Sequence, residues 1–297
     1  FVYLERGITE LFGDPVQFIQ AMQRTDTLDT SPYSLTLRWY GEWLNRLDHR
    51  ALVTVDLERL KYVHTQSCHA AKDSLYEAAL LRWVNKLGHG EANADVCEAL
   101  AQYHLDRGSL YRINGSDTLL YKFERKMAAD WLLKAREWPE TRSGKNCLNQ
   151  WKSLVNPELS ALAETYQIPL TSFPVSVEFR NVKLLYYRII RMNAVSYYTE
   201  MAQMESAEKL NHLLERKPLK VGQIDLPDDG LLNPHRTNIL IDPLPSGFYL
   251  LLISDQPIAQ SAQNLLVTVP VSVTGTLLIS NQNSTNGRDF YFRDRDK

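Results

Sequence analysis

The residues able to do chemistry in this chain of 297 are few and dispersed. His64, Cys68 and His69 fall close together. On a helix His64 and Cys68 would share a face, as two metal ligands do. No second ligand pair at zinc spacing accompanies them, so ordinary helix residues are the expected reading. Asp225, Asp228 and Asp229 precede Gly230. Such a run suggests a calcium loop, but the twelve-residue ligand pattern is missing, and a solvated turn is expected. Trp39, Tyr40 and Trp43 form an aromatic group that could stack on a sugar. Their helical spacing, with Leu35 four residues before Trp39, instead predicts a core stripe. Arg188 and Arg191 interleave with Tyr186, Tyr187 and Ile189. That pattern fits a binding face, and equally a strand with one side in water.

Nucleophile and phosphate motifs are missing: the sequence has no Gly-x-Ser-x-Gly, Walker A, dinucleotide fingerprint or His-Glu-x-x-His. No catalytic residue, metal site or cofactor is therefore predicted. Cys68, Cys97 and Cys147 are an odd count without Cys-x-x-Cys spacing, which is not a disulfide framework. They are expected as small buried apolar residues, although one pair could bridge in an oxidising compartment. Asn114-Gly-Ser116 and Asn283-Ser-Thr285 fit the N-glycosylation pattern and are expected in loops. The net charge of −2 gives no reason to expect a nucleic acid or an anionic membrane as partner. No apolar run approaches the roughly 20 residues that span a bilayer.

The elements that must position these residues fall into two halves. Ser31-Pro32 is a helix start. Apolar residues then recur at helical spacing: Leu35, Trp39, Trp43; Val53, Leu57, Leu60; Leu75, Ala79, Trp83; Val96, Leu100, Tyr103; and Leu120, Phe123, Met127, Trp131, Ala135. Gly88-His89-Gly90 and Trp138-Pro139 punctuate them. Shorter helices are predicted over 144–154 and 157–166. The unit from Ala101 to Tyr111, followed by a long helix, loosely matches one tetratricopeptide-like helix pair. An all-α, antiparallel, solenoid-like domain is thus expected over 1–166, and a proline-bearing linker over 167–173.

After the linker the period changes. Val175, Val177 and Phe179 alternate with Ser176, Glu178 and Arg180, as in a half-buried strand. Residues 195–216 read as a helical insertion. Phe248 to Ile253 is apolar on both faces and so central, and Val267, Val269, Val271 and Val273 alternate strictly. Pro270 cannot donate to a ladder, which places that strand at an edge or bulge. A seven-stranded antiparallel β-sandwich is expected over 174–285, giving an α+β chain of two separate domains. Asn286-Gly287 followed by Phe290-Tyr291-Phe292 is expected to open a further β domain over 286–297. Because the chain begins with Phe1, a leader or lipid anchor is expected upstream.

The order of a helical region, then Pro174-Val-Ser-Val-Glu-Phe-Arg-Asn-Val-Lys-Leu-Leu-Tyr-Tyr-Arg-Ile-Ile-Arg191, then Pro245-Ser-Gly-Phe-Tyr-Leu-Leu-Leu-Ile-Ser254, then Gly275-Thr-Leu-Leu-Ile-Ser280 and Phe290-Tyr-Phe-Arg-Asp-Arg-Asp-Lys297, resembles the N-terminal region of large bacterial α2-macroglobulin-like proteins of the Bacteroides type. Ala51 to His64 also resembles the segment before the first macroglobulin domain. The resemblance covers most of the chain and rests on packing patterns. It implies a fibronectin-like macroglobulin domain closing on the Gly247-Phe-Tyr-Leu phrase. It further implies a protease-inhibiting parent in the cell envelope (periplasm or outer membrane), with proteases and neighbouring macroglobulin domains as partners. The family's thioester, Cys-x-Glu-Gln, fits none of the three cysteines: Cys68 leads into His-Ala-Ala, Cys97 into Glu-Ala-Leu and Cys147 into Leu-Asn-Gln.

Three functions follow. The first is a non-catalytic scaffold segment of such an inhibitor. The second is a stand-alone helical-repeat and β-sandwich protein that binds a peptide, glycan or subunit. The third, a hydrolase with an accessory sandwich, requires two close carboxylates in a deep pocket.

Overall fold

The computed structural model describes residues 7–24, 29–113, 119–199, 204, 206–257, 265–282 and 288–294. The chain divides into two compact units, Phe1–Leu154 and Val155–Lys297. This boundary lies twelve residues before the expected one at 166.

The first unit is helical: α1 Ile8–Leu11, α2 Pro15–Arg24, α3 Pro32–Leu44, α4 His49–Gln66, α5 Lys72–Leu87, α6 Asn93–Gly108, α7 Glu124–Lys134 and α8 Arg142–Val155. Consecutive helices from α1 to α7 pack on one another, and α4 also meets α6. Helix α3 starts as expected, with the Ser31 hydroxyl accepting the Ser34 N–H at 3.3 Å and Pro32 in the first turn. Thr141 caps α8 by accepting the Gly144 N–H at 3.0 Å.

Two predicted core stripes face outward, wholly or in part. On α3 the buried residues are Leu37, Gly41 and Leu44, while Trp39 and Trp43 are 65% and 57% exposed. The helix carries two apolar stripes, and Gly41 decides between them. A Cβ there would stand 3.4 Å from Met22, so α2 seats closely on that side. On α7 the inward face is Ala128, Ala129 and Leu132; of the predicted stripe, Ala135 is buried and Trp131 packs on the core, whereas Met127 and, ahead of the helix, Leu120 and Phe123 are exposed. Small residues win because α6 and α7 lie close. A Cβ on Gly108 would approach Arg125 Cγ to 2.8 Å.

A fully buried ion pair ties the early helices together. Arg59 donates Nε–H to Asp56 Oδ1 at 2.7 Å and Nη2–H to the Gly13 carbonyl at 2.9 Å. It also bonds the Leu11 carbonyl and lies 4.3 Å over the Phe18 ring. The second Asp56 oxygen accepts the Trp83 indole N–H at 2.7 Å.

The second unit is a two-sheet sandwich. Its strands are β1 Glu158–Leu162, β2 Tyr166–Gln167, β3 Phe173–Arg180, β4 Leu184–Met192, β5 Lys220–Asp225, β6 His235–Ile241, β7 Gly247–Ser254 and β8 Leu266–Val273. One sheet runs β1-β3-β6 and the other β2-β8-β7-β4-β5. There are thus eight strands rather than seven, and the β2–β8 pair is parallel, not antiparallel. Residues 157–166, expected as helix, supply β1 and the first residue of β2, and Gln167 and Phe173 of the expected linker are strand residues. Leu159 and Ala161 fit both periodicities over so short a run; pairing with β3 and contact with the inter-sheet core decide for strand.

That core draws Val175, Val177 and Phe179 from β3, Ile239 and Ile241 from β6, and Tyr249, Leu251, Ile253, Val269, Val271 and Val273 from β7 and β8. The alternate residues of β7, Phe248, Leu250 and Leu252, face a second cluster with Leu213 and Tyr197 of the helical insertion, α9 Ala194–Thr199 and α10 Ser206–Glu215. Pro270 belongs to the even-numbered set whose N–H groups turn away from β7. Ser272 and Thr274 bond Thr165 and Gln167 on that side, and β2 ends short of Pro270. Leu277–Ser280, counted in the sequence as part of the sandwich, lie in β9 Thr276–Gln282. β9 forms a separate two-stranded sheet with β10 Arg288–Asp294.

All six tryptophans lie at or before position 151, so indole emission reports on the helical unit. Asp56→Ala leaves a buried guanidinium without its carboxylate and is expected to cost about 3–5 kcal/mol. Denaturant titration followed by indole fluorescence checks this; a loss below about 1 kcal/mol means that the pair is not what holds these helices.

Candidate functional site

The structure separates most of the residues that looked able to do chemistry. Helix α4 ends at Gln66, so Cys68 lies beyond it and does not share a face with His64. His64 Nε2 meets Asp73 Oδ1 at 2.8 Å, and its ring stacks on Tyr76. His69 Nδ1 accepts the Ala71 N–H within a local turn. Asp228 and Asp229 form successive Asx turns, accepting the Gly230 and Leu231 N–H groups. The Gly230 N–H, with Lys183 at 3.3 Å, holds the Asp228 carboxyl below its usual range. Arg188 donates to the Leu214 carbonyl at 3.0 Å and to that of Arg216, capping the end of α10. Arg191 donates to the Ser246 carbonyl at 3.2 Å. These two cations hold the β unit's own turns and insertion. Both glycosylation patterns, 114–116 and 283–285, include positions outside the described residues.

A different site appears in the helical unit. Helices α4, α6 and α8 and the first turns of α5 line one groove of about 870 Å³, within the size range of small-ligand sites. Alternate helices of the array supply it. Leu57, Lys61 and His64 come from α4, Asp73 and Tyr76 from α5, and Glu98, Gln102 and Tyr103 from α6; Ser143, Asn146 and Gln150 come from α8. Helices α6 and α8 are joined at two rungs: the Ser143 hydroxyl donates to Asp95 at 2.6 Å, and the Asn146 amide donates to Glu98 at 3.0 Å. Both rungs ascend together, 95 to 98 and 143 to 146, so the two helices run parallel there.

Behind this wall lies a charged network. Asp73 takes His64 on one oxygen and Arg107 Nη1 on the other at 2.9 Å. Arg107 Nε donates to Glu124 Oε1 at 2.7 Å, and Glu124 Oε2 meets the buried His104 Nδ1 at 2.7 Å. His104 Nε2 stands 3.8 Å from Glu77. Burial pushes the hydroxyls of Tyr76 and Tyr103 up to about 12, so both stay protonated at neutral pH. The groove therefore presents fixed donors, acceptors and charges of both signs. None of its polar pairs was legible in the sequence. They join residues 9 to 48 positions apart, so the periodicity that marked the helices gave no sign of the pairs between them.

No protein-family model matches this chain, and no curated protein matches it. Among the solved structures with weak similarity are these two. One is native alpha-2-macroglobulin from Escherichia coli spanning domains NIE-MG1, 15% identical, covering 48% of this chain and 71% of that one with a TM-score of 0.30. The other is the CARDB domain of the PF1109 protein from Pyrococcus furiosus in complex with di-metal ions, 13% identical, covering 41% and 96% with a TM-score of 0.22. At these scores neither likeness carries weight for the function.

The cysteines differ sharply in surroundings. All three are free thiols; Cys97 and Cys147 are buried and Cys68 is exposed. Burial pushes Cys97 up to about 11 and Cys147 up to about 12. The thiolate is the reacting form. One thiol equivalent is therefore expected to react with a disulfide reagent at pH 8 in the native chain, and three in denaturant. Fast reaction of Cys97 or Cys147 in the native chain contradicts their burial.

Proposed function

We propose that this chain is a non-catalytic scaffold segment of a macroglobulin-like protease inhibitor of the bacterial cell envelope. The place of Gly247–Ser254 carries the reading. This is the phrase on which the resemblance expects a macroglobulin domain to close. It forms the strand between β4 and β8, with one face in the inter-sheet core and the other under the helical insertion. A helical unit followed in the chain by such a sandwich matches the order that the resemblance implies. Participation of alternate helices in one groove supports the solenoid-like reading of the first unit. The partners are then proteases, met through the whole parent, and neighbouring macroglobulin domains. In this reading the trapping chemistry lies elsewhere in that parent or is absent, and a lipid anchor holds the parent in the envelope.

The groove favours a second reading, a stand-alone binding protein, because a built polar channel is more than a spacer needs. The two separate on the size of the native protein. An antibody raised to this chain is expected to detect an envelope-fraction band several times heavier than 34.2 kDa. A band near 34.2 kDa, outside the envelope, would sink the inhibitor reading.

A further inference from the structure

We infer that the groove between α4, α6 and α8 is a site for an extended peptide segment of another protein, held chiefly through its main chain. The inference rests on the chain being a binding scaffold and names what the scaffold binds.

The seam between α6 and α8 carries two hydrogen-bonded rungs among the described residues. The next pair at the same spacing is Gln102 and Gln150, four residues beyond Glu98 and Asn146, and both line the groove. Gln102 gives its amide nitrogen to Asp106 on its own helix at 2.7 Å. Gln150 Oε1 is buried and has no hydrogen-bond partner among the described residues. Buried acceptors are normally satisfied, because leaving one without a donor is costly. Gln150 as a residue is only half-buried, so a turn of its side chain brings that oxygen to the groove, where an arriving N–H answers it. A backbone offers one donor and one acceptor per residue, and an amide side chain can answer either.

The dimensions agree. From Asp95 to Arg107 the α6 side of the groove advances about 18 Å. At about 3.3 Å per residue, five or six residues of an extended strand fit alongside. The lining carries five carboxylates (Glu58, Asp73, Asp95, Glu98, Asp106) against four cations (Lys61, Lys72, Arg107, Arg142). That near balance does not suit a polyanion such as nucleic acid. A glycan is disfavoured too. Sugars need open aromatic faces, and Tyr76 and Tyr103 in the groove are both buried. The exposed Trp39 and Trp43 belong to α3 and do not line it. The wall is also fixed in advance, since Asp73 is held by His64 and Arg107 together, which lowers the ordering cost of binding.

The test uses the whole chain and a fluorescein-labelled library of random heptapeptides, read by fluorescence anisotropy. The tightest binder is resynthesised with N-methyl groups on alternate residues, in both phases. Binding is expected, with a loss of at least tenfold in one methylation phase. Gln150→Leu is expected to lose a similar factor. Gln150→Glu, which keeps an acceptor, should retain affinity, and Trp39→Ala should change nothing. If Gln150→Leu fails to fold by circular dichroism, the methylation series on the unaltered chain stands alone. The proposal is overturned if the folded chain binds no heptapeptide, or if binding survives methylation in both phases. It is equally overturned if poly(U) or a chitooligosaccharide binds in a Gln150-dependent way instead. These outcomes are independent of the size and location of the native protein, so the site can fail while the inhibitor reading stands, and the reverse.

Discussion

A guanidinium with no access to water sets the terms for the helical unit. A guanidinium only donates hydrogen bonds, so the surroundings of Arg59 must supply acceptors. Asp56, three residues earlier on the same helix, supplies the charge, and the carbonyls of Leu11 and Gly13 supply the rest. This requirement fixes the α1–α2 turn against α4. Asp56 in turn holds Trp83 of α5. Three stretches distant in the chain thus share one electrostatic condition. Apolar contacts tolerate sliding by a turn; a fan of directed hydrogen bonds does not.

In the sandwich the corresponding constraint is the period of two along β7. Its eight residues put Tyr249, Leu251 and Ile253 on one face, with Gly247, and Phe248, Leu250, Leu252 and Ser254 on the other. Both faces are covered, one by the other sheet and one by the insertion helices. Arg188 serves that arrangement, since it reaches from β4 to the carbonyls at the end of α10 and fastens the cover over the sheet. Gly222 sits opposite Tyr187 on the neighbouring strand, and a Cβ there would meet the tyrosine ring at 2.5 Å. The absent side chain leaves room for the aromatic ring on that edge of the sheet.

The groove gains its shape from the same economy of elements. Helices α4, α6 and α8 face it, while the ion network of Asp73, Arg107, Glu124 and His104 secures α5, α6 and α7 to one another. Different side chains of α6 serve the channel and the network. Glu98 and Gln102 face the channel, and His104 faces the network. Arg107 serves both, as it lines the groove and anchors its wall.

Much of the architecture was legible in the sequence, because local periodicity is a property of the chain alone. The switch from a period near four to a period of two near residue 173 and the central place of Phe248–Ile253 follow from backbone geometry, whereas β8, which Pro270 marked as an edge or bulged strand, lies between β2 and β7. Other features depended on partners far along the chain. The stripe of Leu35, Trp39 and Trp43 has perfect helical spacing, yet it faces outward, because Gly41 on the opposite side admits α2 more closely. Residues 158–162 satisfy a helix or a strand, and only pairing with β3 chose between them. The groove was beyond reach for the same reason. Its rungs, Asp95 with Ser143 and Glu98 with Asn146, each join residues 48 positions apart. No local pattern encodes such a distance. Short-range spacing therefore determined most of the elements, and long-range contact decided which of their faces are buried and which stay exposed.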